Sequence, residues 1–327
     1  MAPPPSPERD GDPSRGEPGP QPLFIGGPHR SGTGMVRAIL GSNSQLALPP
    51  KEYQFFDTPP VRGNDDWARA PETVLAAILD WPKLREWGLA PGSAEAMLAA
   101  SDRSPGAIYA APLRAYAAAA GKPRFGEKTP YLERRFETLL AWFGPGLRFV
   151  QLIRDPIPTY VSLCHQGGAR QVIDPLRFAR SWRSSALRGL DHARRFPAQF
   201  MLVPYEEFTQ APAAWTRRLC DFAGLPHEIE AMLAMKDFAR KRNSSFGEDA
   251  PGGTNHVGEP AGHPAPSRLD AWIIAHELGP LRDGIGGLAD EELPLDLIGA
   301  EERGKSSVAA RASVLTTRAW TRLIQRA

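Results

Sequence analysis

A doubly wound α/β fold, with a mostly parallel sheet flanked by helices, is predicted by two features of this 327-residue sequence. Four short apolar runs, "LFIGG", "RFGEK", "LRFVQLIR" and "FMLVPY", are each followed by a helix-compatible segment. Strands that alternate with helices pair in parallel, because a parallel neighbour is reached only through a crossover connection. A hydrophobic share of 42% is enough for one sizeable core with a helical annex.

Taken in order, residues 1–22, "MAPPPSPERDGDPSRGEPGPQP", hold eight prolines and three glycines and almost no apolar side chains. Such a composition cannot bury a core, so a disordered tail is expected there. "LFIGG" reads as a buried strand and "GMVRAILGSN" as a helix ending at Gly41-Ser42-Asn43. From Trp67 to Ala120 the pattern is helical and Ala-rich, punctuated by Pro and Gly, with Trp67, Trp81 and Trp87 spread through it. This stretch forms a helical insertion, in which most of the tryptophans are expected to pack in the core. "PLRFARSWRSSALRGLDHARRF" is a long helix, and residues 212–235 read as two short helices broken at Gly224-Leu225-Pro226. The main domain is expected over 23–300. A basic C-terminal helix is expected over 301–327, where Lys305, Arg311, Arg318, Arg322 and Arg326 carry the charge.

A formal net charge of +2, with the signs interspersed, gives no footprint for nucleic acid. Cys164 and Cys220 are the only cysteines and both lie in apolar helical patterns, so they read as buried thiols in a reducing compartment. No segment offers the roughly 18 consecutive apolar residues of a membrane span, nor an apolar secretory core at the start. A cytoplasmic protein without an integral membrane segment is expected.

Parallel α/β sheets bind ligands at the carboxyl ends of their strands. Chemistry-bearing residues gather at three such ends. "GGPHRSGTG" joins the first strand to a helix, and that geometry aims backbone N–H groups and the positive helix end at an anion. The usual triphosphate loop, G-x-x-x-x-G-K-[ST], has a lysine that is absent here. Arg30, followed by Ser31, Gly32, Thr33 and Gly34, instead offers a guanidinium fork and hydroxyls suited to a tetrahedral oxyanion. A plain strand-to-helix turn with a surface arginine is the alternative. "LRFVQLIRDPIPTYVS" ends a strand in Arg154-Asp155, and Ser162 lies about two turns into the next helix. Arg154 and Ser162 can converge on one phosphate, or Asp155 can simply cap the helix and pair with Arg154. "FGEKTP" adds Lys128 and Thr129 at the third end. A polyanionic ligand with two anionic groups follows from three such ends.

These segments, with "PPKEYQFF", "LVPYEEF" and "CDFAGLP", occur in an order that resembles the sulfotransferases that use 3'-phosphoadenosine 5'-phosphosulfate. The resemblance spans roughly residues 23–275 and is nearer to the branch of bacterial and tyrosylprotein sulfotransferases. It implies a P-loop-like sheet with an acceptor-side helical insertion, and the phosphosulfate nucleotide as cosubstrate with no metal. Adenosine 3',5'-bisphosphate would be the product. By the resemblance, the Arg30–Gly34 loop binds the 5'-phosphosulfate and Arg154 with Ser162 binds the 3'-phosphate. Glu52 is the catalytic base, and Lys128 contacts the bridging and sulfuryl oxygens. Ser244 and Ser245 in "RKRNSSFG" close over the nucleotide, with Ser245 aiding the transition state. Tyr205 belongs to the same shell, and Trp272 covers the nucleotide.

The chain departs from the pattern at three positions. Gly34 removes a hydroxyl normally offered to the 5'-phosphate, for which His29 is a partial substitute. Gln54 and Ala271 replace an arginine and a lysine of the tyrosylprotein branch, which weighs against a tyrosyl-peptide acceptor without touching the donor site. The acceptor is therefore a small molecule, a carbohydrate or a peptide tyrosine, and a homodimer is left open.

In-line transfer needs Glu52 to take a hydroxyl proton while Arg30, Lys128 and Ser245 offset charge on the sulfuryl group. Burial among the aromatics of "PPKEYQFF" is expected to raise the Glu52 pKa and so suit it to that task. Without the resemblance, Glu52 reads as a surface carboxylate paired with Lys51 or Arg62. Two rival functions remain: a P-loop kinase with Asp155 holding magnesium, and a nucleotide-binding protein that has lost transfer.

Overall fold

β1, Leu23–Gly26, is apolar at every residue but its last and is buried throughout. Such a strand must have covered faces on both sides, as in a parallel sheet. In the computed structural model, which describes residues 21–64, 66–165, 172–234 and 266–278, β1 is the middle strand of five. The others are β2, Leu46–Ala47, β3, Arg124–Lys128, β4, Arg148–Ile153, and β5, Phe200–Pro204. They run in the order β2-β3-β1-β4-β5. Every pairing is parallel, with Ile25 opposite Lys128 on one side and Val150 on the other. β2 spans two residues, too few to leave a period in the sequence.

Successive residues of β1 serve opposite faces. Leu23 and Ile25 pack with Val36, Ile39 and Leu40 of helix α1, Thr33–Gly41, and with Trp215 and Leu219 of a later helix. Phe24 packs on the other face against the helical insertion, meeting Tyr109 edge-on at 5.6 Å. That insertion comprises α2, Pro71–Leu79, α3, Pro82–Arg85, α4, Ser93–Ala99, and α5, Pro105–Ala119. Trp87 is buried there, and Trp67 and Trp81 pack against the same cluster, the core role expected of them.

Next come α6, Phe136–Phe143, α7, Pro156–Cys164, α8, Pro175–Arg195, α9, Tyr205–Gln210, α10, Pro212–Ala223, α11, Ile229–Ala234, and α12, Arg268–Glu277. Helices α2, α3, α5, α7, α8 and α10 all begin at a proline. Proline costs nothing at the first helical position, where the N–H has no intrahelical partner. The break between α10 and α11 falls at Gly224, which is left-handed, as the Gly-Leu-Pro signal indicated. Both cysteines are buried and no disulfide joins them. The expected tail over 1–22 lies outside the described residues except for its last two, and the basic helix over 301–327 lies wholly outside them. No helix among the described residues is long and apolar enough to cross a membrane.

Candidate active site

The loop between β1 and α1 is shaped by close approach. Gly27, at φ 123°, lies so near β4 that a Cβ would stand 2.2 Å from the Leu152 carbonyl oxygen. Gly32, at φ 90°, leaves room for the Tyr205 ring, which a Cβ would meet at 2.5 Å. Arg30 between them is itself left-handed, at φ 67°. Helix α1 begins without a side-chain cap, so its first amides face the loop with no intrahelical partner. The Ser31 hydroxyl is fully buried and has no hydrogen-bond partner among the described residues. A buried hydroxyl without a partner is costly unless a ligand completes it. These features fit an anionic group seated on the loop.

A carboxylate braces the loop from behind. The Gly27 amide donates to Glu133 Oε2 at 2.8 Å. Ser185 Oγ donates to the other Glu133 oxygen at 2.5 Å, and Gln151 Nε2 of β4 donates to Ser185 Oγ at 3.1 Å. Burial pushes the Glu133 carboxyl up from its ordinary pKa, with the Ser185 hydrogen bond opposing.

Two clusters expected at separate anions adjoin. Arg30 Nε donates to Ser162 Oγ on α7 at 3.1 Å. Arg154 Nη1 donates to the Arg30 carbonyl at 3.2 Å, and its guanidinium lies 4.5 Å from the Tyr205 ring centroid. Trp182 Nε1 holds the Arg154 carbonyl at 3.0 Å. Asp155 is almost fully buried, and its carboxylate caps α7 by accepting from the Ile157 amide at 2.8 Å. The helix-capping part of the alternative reading of Asp155 is therefore met.

At the end of β3, Lys128 Nζ donates to Glu52 Oε1 at 2.7 Å. Lys83 Nζ, from α3, donates to Glu52 Oε2 at 2.8 Å. Lys51, next in sequence, turns outward to Glu86 at 3.0 Å. Neither expectation for Glu52 holds, because its partners are neither Lys51 nor Arg62 and its pKa is not raised. Burial alone pushes the carboxyl up, but the charges and hydrogen bonds of Lys128 and Lys83 outweigh it and bring the pKa down to about 2. Behind Lys128, fully buried Glu127 accepts hydrogen bonds from Tyr109 and from Thr129 Oγ1, the latter at 2.6 Å. Burial there prevails and raises its pKa to about 7. The Gln54 backbone N–H donates to Thr129 Oγ1 at 3.1 Å, tying the Glu52 segment to β3.

Four non-glycine residues among those described have positive φ. Three of them, Arg30, Gln54 and Tyr131, lie in the loops after β1, β2 and β3. Left-handed backbone at such residues costs on the order of 1–3 kcal/mol each and collects at functional sites. His29 sits among them, its ring edge-on to Tyr131 at 5.4 Å. Desolvation lowers its pKa against the pull of Glu52, which favours the neutral imidazole.

Arg30, Ser31, Gly32, Thr33, Gly34, Glu52, Lys128, Arg154, Ser162 and Tyr205 thus gather at one edge of the sheet. Ser244 and Ser245 lie outside the described residues. Trp272 is on α12, stacked on His276 at 4.9 Å. Lys83 and Glu133 went unnoticed in the sequence, for neither sits in a motif. Among the described residues no group of three or more His, Cys, Asp or Glu side chains is arranged to hold a metal.

A parallel sheet with a glycine-rich loop after its central strand and cations at the neighbouring strand ends defines the P-loop-like class of α/β fold. Within that class the chain belongs to the sulfotransferase family, whose family model matches residues 22–229. No curated protein matches it by sequence. Among solved structures it is similar to the sulfotransferase domain of the olefin synthase of Synechococcus PCC 7002, at 18% identity over 88% of this chain and 100% of that one, with a TM-score of 0.46. Sulfotransferase STF9 of Mycobacterium avium is 17% identical over 69% of each chain, with a TM-score of 0.41. A retinol dehydratase solved with androsterone and the inactive cofactor PAP is 15% identical over 84% of this chain and 83% of that one, with a TM-score of 0.37. The assignment rests on the family match alone.

Proposed function

We propose that this protein transfers a sulfuryl group from 3'-phosphoadenosine 5'-phosphosulfate to an acceptor hydroxyl by in-line displacement. The observation that carries this reading is the Lys128–Glu52 contact at 2.7 Å, beside the anion loop. Sulfuryl transfer needs a cation for the leaving group next to a base for the attacking hydroxyl, and this pair provides both. The bound donor supplies an activated sulfuryl group with a phosphate leaving group.

Every other task falls to the protein. The loop amides with Ser31 and Thr33 hold the 5' end, and Arg30 offsets charge on the sulfuryl oxygens. Arg154, stacked near Tyr205, takes the 3'-phosphate with Ser162. Lys128 turns to the bridging oxygen as the S–O bond lengthens. Glu52 then accepts the acceptor's proton on the oxygen Lys128 has left, and losing that cation makes it a stronger base. Ser245 assists at the sulfuryl group, and Ser244 belongs to the nucleotide contacts. The acceptor is a small molecule, a carbohydrate or a peptide tyrosine. The protein works in the cytoplasm without a metal.

Calorimetric titration with adenosine 3',5'-bisphosphate and with ATP, each with and without magnesium, tests the donor site. Magnesium-independent binding of the bisphosphate is expected. It should weaken roughly ten- to hundredfold in Arg154→Ala, as for a lost charged hydrogen bond of about 1.5–3 kcal/mol. Preference for magnesium-ATP would overturn the reading in favour of a kinase. Bisphosphate binding without transfer to any hydroxyl would favour a protein that keeps the nucleotide site alone.

A further inference from the structure

The Glu52 carboxylate has a lysine on each oxygen, and only Lys128 has a task in the proposed chemistry. Lys128 is almost fully buried at the end of β3, on the sheet. Lys83 stands on α3 in the helical insertion, with about a third of its side chain exposed. The two lysines therefore approach Glu52 from different parts of the fold, one from the donor side and one from the insertion. When Lys128 turns to the donor's bridging oxygen, Glu52 would be free to rotate or to follow it, unless its second oxygen is held.

We propose that Lys83 is a positioning residue of the transfer reaction, holding Glu52 Oε2 so that Oε1 stays directed at the acceptor hydroxyl after Lys128 has left it. This rests on the sulfuryl-transfer reading and adds a residue from the insertion to it. In the step itself the acceptor oxygen forms its bond to sulfur as its proton passes to Glu52 Oε1. The bond from sulfur to the bridging oxygen breaks, and its electron pair leaves with the nucleotide phosphate. Lys83 touches no reacting atom; it acts through Glu52.

The groups in electrostatic reach of Glu52 are Lys128 and Glu127 on β3, Lys83 on α3, and His29 in the loop after β1. Lys83 and Lys128 both favour the ionised carboxylate. Removing Lys83 must then raise the pH at which Glu52 takes up a proton.

The test has two arms. In the first, the Glu52 carboxyl carbon is titrated by NMR in the free protein, in wild type, Lys83→Met and Lys83→Arg. The midpoint should rise by about one pH unit or more in Lys83→Met and return most of the way in Lys83→Arg. In the second, release of sulfate from labelled donor, with water as acceptor, is followed against pH at saturating donor. Lys83→Met should lower kcat at least tenfold with the donor KM unchanged, move the acidic limb upward, and be rescued by Lys83→Arg. An unchanged Glu52 midpoint overturns the proposal whatever the protein does. So does an acidic limb that stays in place, or a loss confined to donor KM. Failure of the wild type to bind the bisphosphate overturns the sulfuryl-transfer reading instead, while the NMR arm still reads the Lys83 contact.

Discussion

Gly27, Gly32 and Gly34 lie within eight residues, the first two in the loop and the third in the first turn of α1, and answer to different physics. Gly27 and Gly32 are required, since each has positive φ and a neighbour where a Cβ would stand. Gly34 has no atom within 4 Å of a Cβ position and no positive φ. Gly27→Ala, which meets rigid backbone, is expected to lose more than about 3 kcal/mol or to fail to fold. Gly34→Ser should instead gain about 0.5 kcal/mol from helix propensity. It also restores a hydroxyl to the loop, and so should tighten bisphosphate binding. Urea denaturation midpoints together with calorimetry check both substitutions. The sequence marked Gly34 only as a departure from a motif; the space around it makes the change reversible.

At the scale of elements, the loop is held by what lies behind it. β4 contributes Gln151, α8 contributes Ser185, and the turn after β3 contributes Glu133, and together they secure one amide of the loop. Glu133→Ala leaves the Gly27 amide and the Ser185 hydroxyl buried without their acceptor. Each such group costs about 1–3 kcal/mol, so a loss on the order of 2–6 kcal/mol is expected by chemical denaturation, with weaker bisphosphate binding. Glu133→Gln, whose amide oxygen still accepts from Gly27, should lose less. A second tie joins α1 to the segment after β2, where Arg37 Nη1 donates to the Pro49 carbonyl at 2.9 Å. The helix whose first amides face the loop is thereby fastened to the segment that carries Glu52.

For the molecule as a whole, buried carboxyls and buried imidazoles act on the pH dependence of folding with opposite signs: desolvation lowers the pKa of His29 and His192, so those two favour the fold as pH rises. Glu127 and Glu206 each have a pKa raised by burial to about 7, against about 4.3 for an unfolded glutamate. A carboxyl with a raised folded pKa favours the fold fully below its unfolded pKa, and that contribution is lost as pH rises through the folded one. The contribution of these two carboxyls should therefore fall between roughly pH 4.3 and pH 7, where the unfolded chain releases protons that the folded carboxyls retain. Glu52 has the opposite sign. Its depressed pKa of about 2 stabilises the fold above the unfolded value and is lost only as pH falls toward 2. Denaturation midpoints of the wild type and of Glu127→Gln, compared from roughly pH 4.3 to pH 7, isolate the Glu127 share. The stability of Glu127→Gln relative to the wild type should rise with pH over that window, by up to a few kcal/mol.

Much of the framework was legible because its signals are local. "LFIGG" and "LRFVQLIR" announce buried strands by apolar runs, and prolines mark helix starts by chemistry that needs no distant partner. The loop from Gly27 to Gly34 showed itself through residue types that suit an anion, and "FGEKTP" and "LIRDP" placed cations at strand ends. β2 left no such trace, being two residues defined by pairing with β3. Nor did Lys83, which lies 31 residues from Glu52 and reaches it only because α3 folds back over the segment. The Glu52 pKa was misjudged for the same reason. Aromatic neighbours in sequence argued for burial, but two lysines brought in from other elements reverse the sign. Periodicity and turn chemistry act over a few residues and can be read along the chain. Sheet order, hydrogen-bond partners and the balance of charge at a carboxylate depend on groups that are near only after folding.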